Sequence, residues 1–143
     1  MGTSSLSLVV RQTIAASPER LFAAWTEPAQ LMSWWGPTGV TCIDARVDLR
    51  VGGGYRLANQ FPDGSVILIE GEFEEIAPPH RLIYTWRIGS APPERVTVRF
   101  EPRDRATEVI VVHERISDSA ARDRHEQGWR GCLDGLRDHL HNQ

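Results

Sequence analysis

The sequence has few cysteines, no long apolar run and no surplus of basic charge, and each shortage excludes a class of protein. Its two cysteines, Cys42 and Cys132, fit neither a metal-binding spacing nor the disulfide framework of small secreted domains. No apolar stretch approaches the roughly 20 residues that a membrane-spanning helix needs. The net charge is -3, and the arginines are interleaved with acids, whereas nucleic-acid binding needs a basic face. We therefore expect neither a nucleic-acid partner nor a membrane partner.

The first residues also lack a targeting signal. Residues 1–6 have neither the basic start nor the apolar core of a secretory signal peptide, and Leu6 occupies a position where myristoylation requires serine or threonine. We expect a cytoplasmic protein in which both cysteines are reduced. A length of 143 residues and a hydrophobic fraction of 41% predict one domain, residues 1–143, with a sizeable core.

The longest periodic segment, residues 117–140, predicts one amphipathic helix. At 100° per residue its apolar positions form a single stripe, made of Trp129, Leu133, Leu136 and Leu140 with Cys132 on its shoulder. Three glycines, Gly128, Gly131 and Gly135, lie on another side, where each costs about 1 kcal/mol of helix propensity relative to alanine. They indicate either close packing on a neighbouring element, or a kink or smooth face for a partner chain. The second alternative leaves a homodimer open.

The remaining chain predicts strands interrupted by two short helices. Residues 6–15 alternate as a strand, and Ser17, Pro18 and Glu19 then mark a helix start, with Pro28 separating a second helical segment over residues 29–35. From Val40 to about Arg115 the period changes from 3.6 to 2, which predicts six strands. The last of them, residues 107–116, has two candidate inner faces, Val109/Val111/His113 or Ile110/Val112. We predict an α+β fold with one curved antiparallel sheet of seven strands wrapped around the long C-terminal helix.

Several short motifs, taken in order, resemble those of a known family. They are Ser17-Pro18-Glu19-Arg20-Leu21-Phe22 with Trp25, Trp34-Trp35-Gly36-Pro37, Gly53-Gly54-Tyr55-Arg56, Pro62-Asp63-Gly64, Gly71, Pro78-Pro79-His80-Arg81-Leu82, Tyr84-Thr85-Trp86, His113-Glu114, and Gly128-Trp129 with Leu133 and Leu136. Together they resemble the domain called activator of heat-shock protein 90 ATPase homologue-like, which is common in small bacterial proteins. That domain belongs to the START-like, or helix-grip (SRPBCC), superfamily.

The resemblance implies a helix-grip fold with a hydrophobic cavity between the sheet and the C-terminal helix. It does not by itself imply chaperone activation, because that activity belongs to larger eukaryotic proteins in which this domain is one part. We therefore expect no chaperone binding.

A cavity under a helix, lined by aromatic rings, suits a small hydrophobic or amphipathic ligand. The candidate lining residues are Trp34, Trp35, Tyr55, Leu57, Ile69, Phe73, Tyr84, Trp86, Val98, Val111, His113, Trp129, Leu133 and Leu136. Each of them is equally typical of an ordinary hydrophobic core, and the hypothesis depends on the number of large rings that converge on one sheet.

His113 is the candidate acid or base, provided that it shares the inner face with Val109 and Val111; a hydrogen-bonded core histidine is the alternative. Arg122 either faces an anionic group at the cavity mouth or extends to water. The alternation of Glu70, Glu72 and Glu74 is typical of a solvated strand face. Because no zinc, nucleotide or nucleophile motif is present, we predict no metal and no cofactor.

Three functions remain open from the sequence. The first is a non-enzymatic binding protein for a small hydrophobic ligand. The second is a cyclase, hydrolase or dehydratase of the same fold that uses His113. The third is an interaction or stress-response protein, dimeric or chaperone-associated.

Overall fold

The computed structural model of this chain describes residues 5–141, and its elements follow the predicted order. The strands and helices are β1 (Leu6–Ile14), α1 (Pro18–Thr26), α2 (Pro28–Trp34), β2 (Thr41–Val47), β3 (Gly54–Gln60), β4 (Val66–Ala77), β5 (Arg81–Ile88), β6 (Glu94–Arg103), β7 (Ala106–Ile116) and α3 (Ser119–His141). The strands form one antiparallel sheet in the order β1-β7-β6-β5-β4-β3-β2. The predicted α+β architecture of seven strands, two short helices and one long helix is confirmed.

Local signals in the sequence account for where the helices begin. The side chain of Ser17 accepts a hydrogen bond from the backbone nitrogen of Arg20, 3.2 Å away, and Pro18 and Pro28 occupy the first positions of α1 and α2. Asp118 Oδ1 accepts from the backbone nitrogen of Ala121 at 2.8 Å. Because this cap fixes the start of α3, the helix begins at Ser119 rather than at residue 117.

The strand register decides which face of β7 is internal. Val109, Val111 and His113 have no exposed surface, and their partners across the β6–β7 ladder are Phe100, Val98 and Val96, which are also fully buried or nearly so. Cross-strand partners share one face of a sheet. The inner face is therefore the first of the two alternatives, and His113 points toward the core.

The apolar stripe of α3 packs against this sheet as predicted. Its buried residues include Trp129, Cys132, Leu133, Leu136 and Leu140. Within residues 5–141, no helix combines the length and the apolar character required to cross a bilayer.

The glycines of α3 have two different roles. A Cβ added at Gly131 would lie 3.1 Å from Cα of Pro37, and one added at Gly135 would lie 2.9 Å from the backbone oxygen of Trp34. These two glycines let α3 approach α2 and the loop that follows it, which supports the close-packing alternative. At Gly128 an added Cβ would meet no atom within 4 Å, apart from the helix itself and adjoining residues. This glycine faces open space.

Candidate functional site

The space between the sheet and the helices is divided into two cavities of very different size. The inner cavity has a volume of about 20 Å³, which is enough for at most one water molecule. Its walls are formed by Trp25, Leu31, Trp35, Val47, Tyr55, Leu57, Phe73, Tyr84 and Trp86. Ring-to-ring packing fills most of this region, since Trp25 contacts Trp34, Trp35 and Trp129 with centroid separations of 5.0 to 6.4 Å.

The outer cavity has a volume of about 180 Å³ and lies beside α3. Its walls are mainly apolar and are formed by Trp35, Pro37, Val40, Asn59, Phe61, Ile67, Ile69, Trp86, Ile88, Arg124, His125, Gly128, Trp129 and Cys132. Pro37, Arg124 and Gly128 also line an adjoining surface groove of about 350 Å³. The shared residues place the mouth of the cavity at the open side of Gly128.

Eight of the fourteen predicted lining residues contact one of these cavities. Trp35 and Trp86 line both; Ile69 and Trp129 line the outer one; Tyr55, Leu57, Phe73 and Tyr84 line the inner one. The other six, Trp34, Val98, Val111, His113, Leu133 and Leu136, are buried core residues that line neither. Burial and alternation identify an inner face, but they do not separate the packed part of that face from the hollow part.

Both tyrosines have protein partners. Tyr55 donates to the backbone oxygen of Thr85 at 2.6 Å, and Tyr84 accepts from Trp25 Nε1 at 3.2 Å. Burial raises the pKa of both hydroxyls above the ordinary value of 10. The two side chains therefore hold the sheet and α1 together and are not suited to proton transfer near neutral pH.

A chain of hydrogen bonds between four side chains lies at the edge of the outer cavity. Trp129 Nε1 donates to His113 Nδ1 at 3.0 Å, and His113 Nε2 lies 2.7 Å from Glu94 Oε1. The same oxygen lies 3.1 Å from His125 Nε2. We name these four residues the His–Glu network. The network connects Trp129 of α3 to His113 of β7 and to Glu94 of β6, and it ends at His125, one turn before Trp129 on α3. It therefore fixes the position of the helix on the sheet.

The family model described as activator of Hsp90 ATPase homolog 1-like protein matches residues 15–141, which include every element except β1. The chain belongs to this family. No protein with a curated description matches it.

Solved structures of bacterial proteins share the fold over nearly the whole chain. A Chromobacterium violaceum protein is 28% identical, with a TM-score of 0.85 and coverage of 92% of this chain and 94% of that one. A Silicibacter pomeroyi protein of the same family is 26% identical, with a TM-score of 0.85 and coverage of 94% and 97%. A Nitrosomonas europaea protein is 26% identical, with a TM-score of 0.83 and coverage of 96% and 95%. These likenesses support a small START-like domain.

The His–Glu network fixes the protonation state of His113. An indole nitrogen is only a donor, so His113 Nδ1 must accept from Trp129, and the ring proton is on Nε2, where it bonds the Glu94 carboxylate. Burial lowers the pKa of His113 below 6.5, against the opposing effect of Glu94. Both nitrogens are engaged and the side chain has no exposed surface. His113 thus positions Glu94 and presents no nitrogen to a ligand.

The same geometry does not suit a metal ion, although Glu94, His113 and His125 bring three ligand atoms within 4.8 Å of one another. Metal coordination by His113 Nε2 would move the ring proton to Nδ1, where the Trp129 N–H would face another donor. The two imidazoles are also stacked, with centroids 4.5 Å apart and planes inclined by 14°. Both Nε2 atoms face the single oxygen Oε1 of Glu94, which occupies the position that an ion would take.

The network makes one acidic group important for stability at low pH. Burial alone would raise the pKa of Glu94, but hydrogen bonds and charge from His113 and His125 outweigh it and bring the pKa to about 2. The carboxylate therefore contributes stability above pH 4.5, its unfolded value, and this contribution is lost as the pH falls toward 2. A difference of about 2.5 pKa units corresponds to up to about 3 kcal/mol.

We expect Glu94→Gln to remove this part of the acid sensitivity. The amide keeps an oxygen acceptor for the histidines but does not titrate, so the free energy of unfolding should fall less between pH 4.5 and 2 than in the native protein. Urea unfolding at several pH values measures it, with Glu72→Gln, at an exposed position on β4, as the matched control. If the free energy of unfolding of Glu94→Gln fell between pH 4.5 and 2 as steeply as that of the native protein, the lowered pKa of Glu94 would be contradicted.

Sequence reasoning missed Glu94 and His125. Each carried a usable signal: Glu94 lies two residues before Val96 on the inner face of β6, and His125 lies one turn before Trp129 on the inner stripe of α3. Arg122 does not line the outer cavity, whereas Arg124 does. Glu70, Glu72 and Glu74 are exposed, as a solvated strand face requires.

Three side chains of the outer cavity wall carry a buried polar atom without a hydrogen-bond partner among residues 5–141. The atoms are Trp35 Nε1, Trp86 Nε1 and Asn59 Oδ1. A buried polar group without a partner costs about 1–3 kcal/mol. None of these three atoms has accessible surface, so they are buried behind the cavity wall and do not face the cavity.

Proposed function

We propose that this protein binds a small apolar molecule of about one ring in the outer cavity. The observation that carries the proposal is the cavity of about 180 Å³, walled by three tryptophans and aliphatic side chains and open at Gly128. Cavities of about 150 Å³ with apolar walls accept a benzene-sized molecule. Drug-sized ligands occupy at least about 300 Å³, so a larger molecule would have to extend from this cavity into the adjoining groove.

The other features of the site agree with binding rather than with catalysis through His113. Its two nitrogens are held by Trp129 and Glu94, and it does not line the outer cavity. The glycine face gives little support to an interaction protein, because Gly131 and Gly135 pack against α2 and its following loop.

Toluene is the simplest probe of this proposal. A ligand at 100 times its Kd raises the free energy of unfolding by about 2.7 kcal/mol, so thermal unfolding should shift upward with toluene concentration. Isothermal titration of the native protein should give one site per chain. A melting temperature that does not change at any soluble toluene concentration would contradict the proposal.

We expect Gly128→Leu to abolish this binding without unfolding the protein. The new side chain enters the open space at the cavity mouth, and leucine has a higher helix propensity than glycine by up to about 1 kcal/mol. The Kd for toluene should rise at least tenfold. Gly128→Ala is the matched control, because its methyl group leaves most of the cavity free. Toluene affinity of Gly128→Leu equal to that of Gly128→Ala would place the site elsewhere.

A further inference from the structure

The outer cavity and the groove at its mouth differ in polarity. The cavity is walled mainly by aromatic and aliphatic side chains, whereas the groove is lined by Thr38, Arg124 and Gln127 as well as by proline and glycine. Pro37, Arg124 and Gly128 line both spaces, so the two adjoin. A molecule that filled both would have an apolar end inside and a polar end at the surface.

Arg124 supplies a positive charge to this lining. Although the chain has 19 acidic residues, none of those that the structure describes lines the cavity or the groove. His125 also lines the cavity, but its Nε2 lies 3.1 Å from a carboxylate oxygen of Glu94, so any positive charge on this ring is already paired. The guanidinium is always charged near neutral pH. The mouth of the cavity is therefore positive in a chain with a net charge of -3.

The charge of Arg124 is not neutralised by its neighbours on α3. Arg130 pairs with Glu126 at 3.3 Å and Arg137 with Asp134 at 3.5 Å, at spacings of four and three residues. Residues at those spacings are neighbours on a helix surface. For Arg124 they are Ala120, Ala121, Gln127 and Gly128. The Arg124 side chain forms no ion pair or hydrogen bond with residues 5–141, so an anion would complete it.

We propose that the ligand of this space is a single-ring aromatic acid, with its ring in the outer cavity and its carboxylate at Arg124. This inference rests on the proposed function and names its ligand class. A guanidinium group binds a carboxylate through two parallel hydrogen bonds. One arginine balances one negative charge, which favours a carboxylate over a phosphate monoester with its charge of about -1.5 to -2.

The geometry of the wall sets the direction of the ligand. Trp86 and Trp129, with ring centroids 5.5 Å apart, form a surface that suits an aromatic ring. Gly128 and Arg124 are four residues apart on α3 and lie on one side of it, so a short aliphatic spacer leads from the ring past Gly128 to the guanidinium. The negative charge of Glu94, beside His125, opposes a carboxylate deeper in the cavity.

A pair of probes that differ only in charge tests the ligand class in the native protein. In isothermal titration, 3-phenylpropanoate should bind with a Kd at least fivefold lower than that of 3-phenylpropanol. This preference should decrease in about 0.5 M salt, because salt screens exposed charges. Toluene binding without a preference for the acid over the alcohol would overturn this inference and leave the proposed function intact. If neither toluene nor the acid binds, both fail.

Arg124→Gln tests the cation. The Kd values of 3-phenylpropanoate and 3-phenylpropanol should come within twofold of each other, while the affinity for toluene stays unchanged. Arg105→Gln, at an exposed position in the turn between β6 and β7, removes the same charge and should keep the preference. A preference that survives in Arg124→Gln, or that is lost equally in Arg105→Gln, would overturn the assignment of the carboxylate to Arg124.

Gly128→Leu tests whether the ring of the acid occupies the cavity. This variant closes the mouth, so it should weaken the binding of 3-phenylpropanoate at least tenfold, as it does for toluene. Undiminished binding of the acid by Gly128→Leu would show that the acid binds on the surface alone, and the inference would fail.

Discussion

Replacement of Gly71 by alanine is expected to destabilise the protein by about 3 kcal/mol or more. A Cβ at this position of β4 would overlap the backbone oxygen of Thr85 on β5 and would lie 2.7 Å from Cε1 of Tyr55. Neither neighbour can easily move, because the Tyr55 hydroxyl donates to that same oxygen at 2.6 Å. Overpacking costs 1–3 kcal/mol where side chains can adjust, and more where backbone must move.

Gly54→Ala is the control for this substitution. Gly54 lies on the adjacent strand, and its added Cβ would be 3.5 Å from the nearest atom, the backbone oxygen of Gly71, which is ordinary contact. In urea unfolding, the free energy of unfolding of Gly54→Ala should therefore lie within about 1 kcal/mol of that of the native protein. A Gly71→Ala protein as stable as Gly54→Ala would show that the β4–β5 contact is not as close as described.

The second large effect is expected for His113→Leu. Leucine leaves the Trp129 N–H without its acceptor and removes from Glu94 a hydrogen bond at 2.7 Å. A buried donor without a partner costs about 1–3 kcal/mol, and bonds to charged groups contribute about 1.5–3 kcal/mol. Because leucine also avoids the burial of a polar ring, we expect a net loss of about 2–4 kcal/mol at pH 8.

The pH dependence distinguishes this role from simple core packing. The pKa of His113 is lowered in the folded protein, so the unfolded chain takes up a proton first as the pH falls below 6.5. The native protein should therefore lose stability through this group as the pH falls below 6.5. His113→Leu should lack that loss, whereas His80→Gln, at an exposed position, should retain it. Identical pH profiles for native protein and His113→Leu would contradict the lowered pKa of His113 in the folded protein.

Periodicity was sufficient to predict α3, because five apolar residues recur on one stripe of the helix and the apolar face of the sheet needs an element to cover it. It could not choose the inner face of β7, since Val109 and Ile110 are both apolar and lie on opposite faces. The pairing of Val98 with Val111 decides the question, and that pairing is a long-range property of the sheet.

The site was only partly predictable for a related reason. Aromatic residues indicated a cavity, but its volume depends on how Trp25, Trp34 and Trp35 pack against one another, with centroids 5.0 to 6.4 Å apart. The interior is consequently smaller than the expected hollow. Glu94 and His125 are 31 residues apart in the sequence, and only the packing of α3 on β6 brings them within 3.1 Å.

A crystal structure of the protein soaked with iodobenzene would show whether the outer cavity binds an aromatic ring, because the anomalous signal of iodine locates the ligand. We expect one dominant iodine peak in the outer cavity, among Trp35, Trp86 and Trp129. Iodine found only on the outer surface of the sheet, or an outer cavity closed by the protein's own side chains, would contradict it.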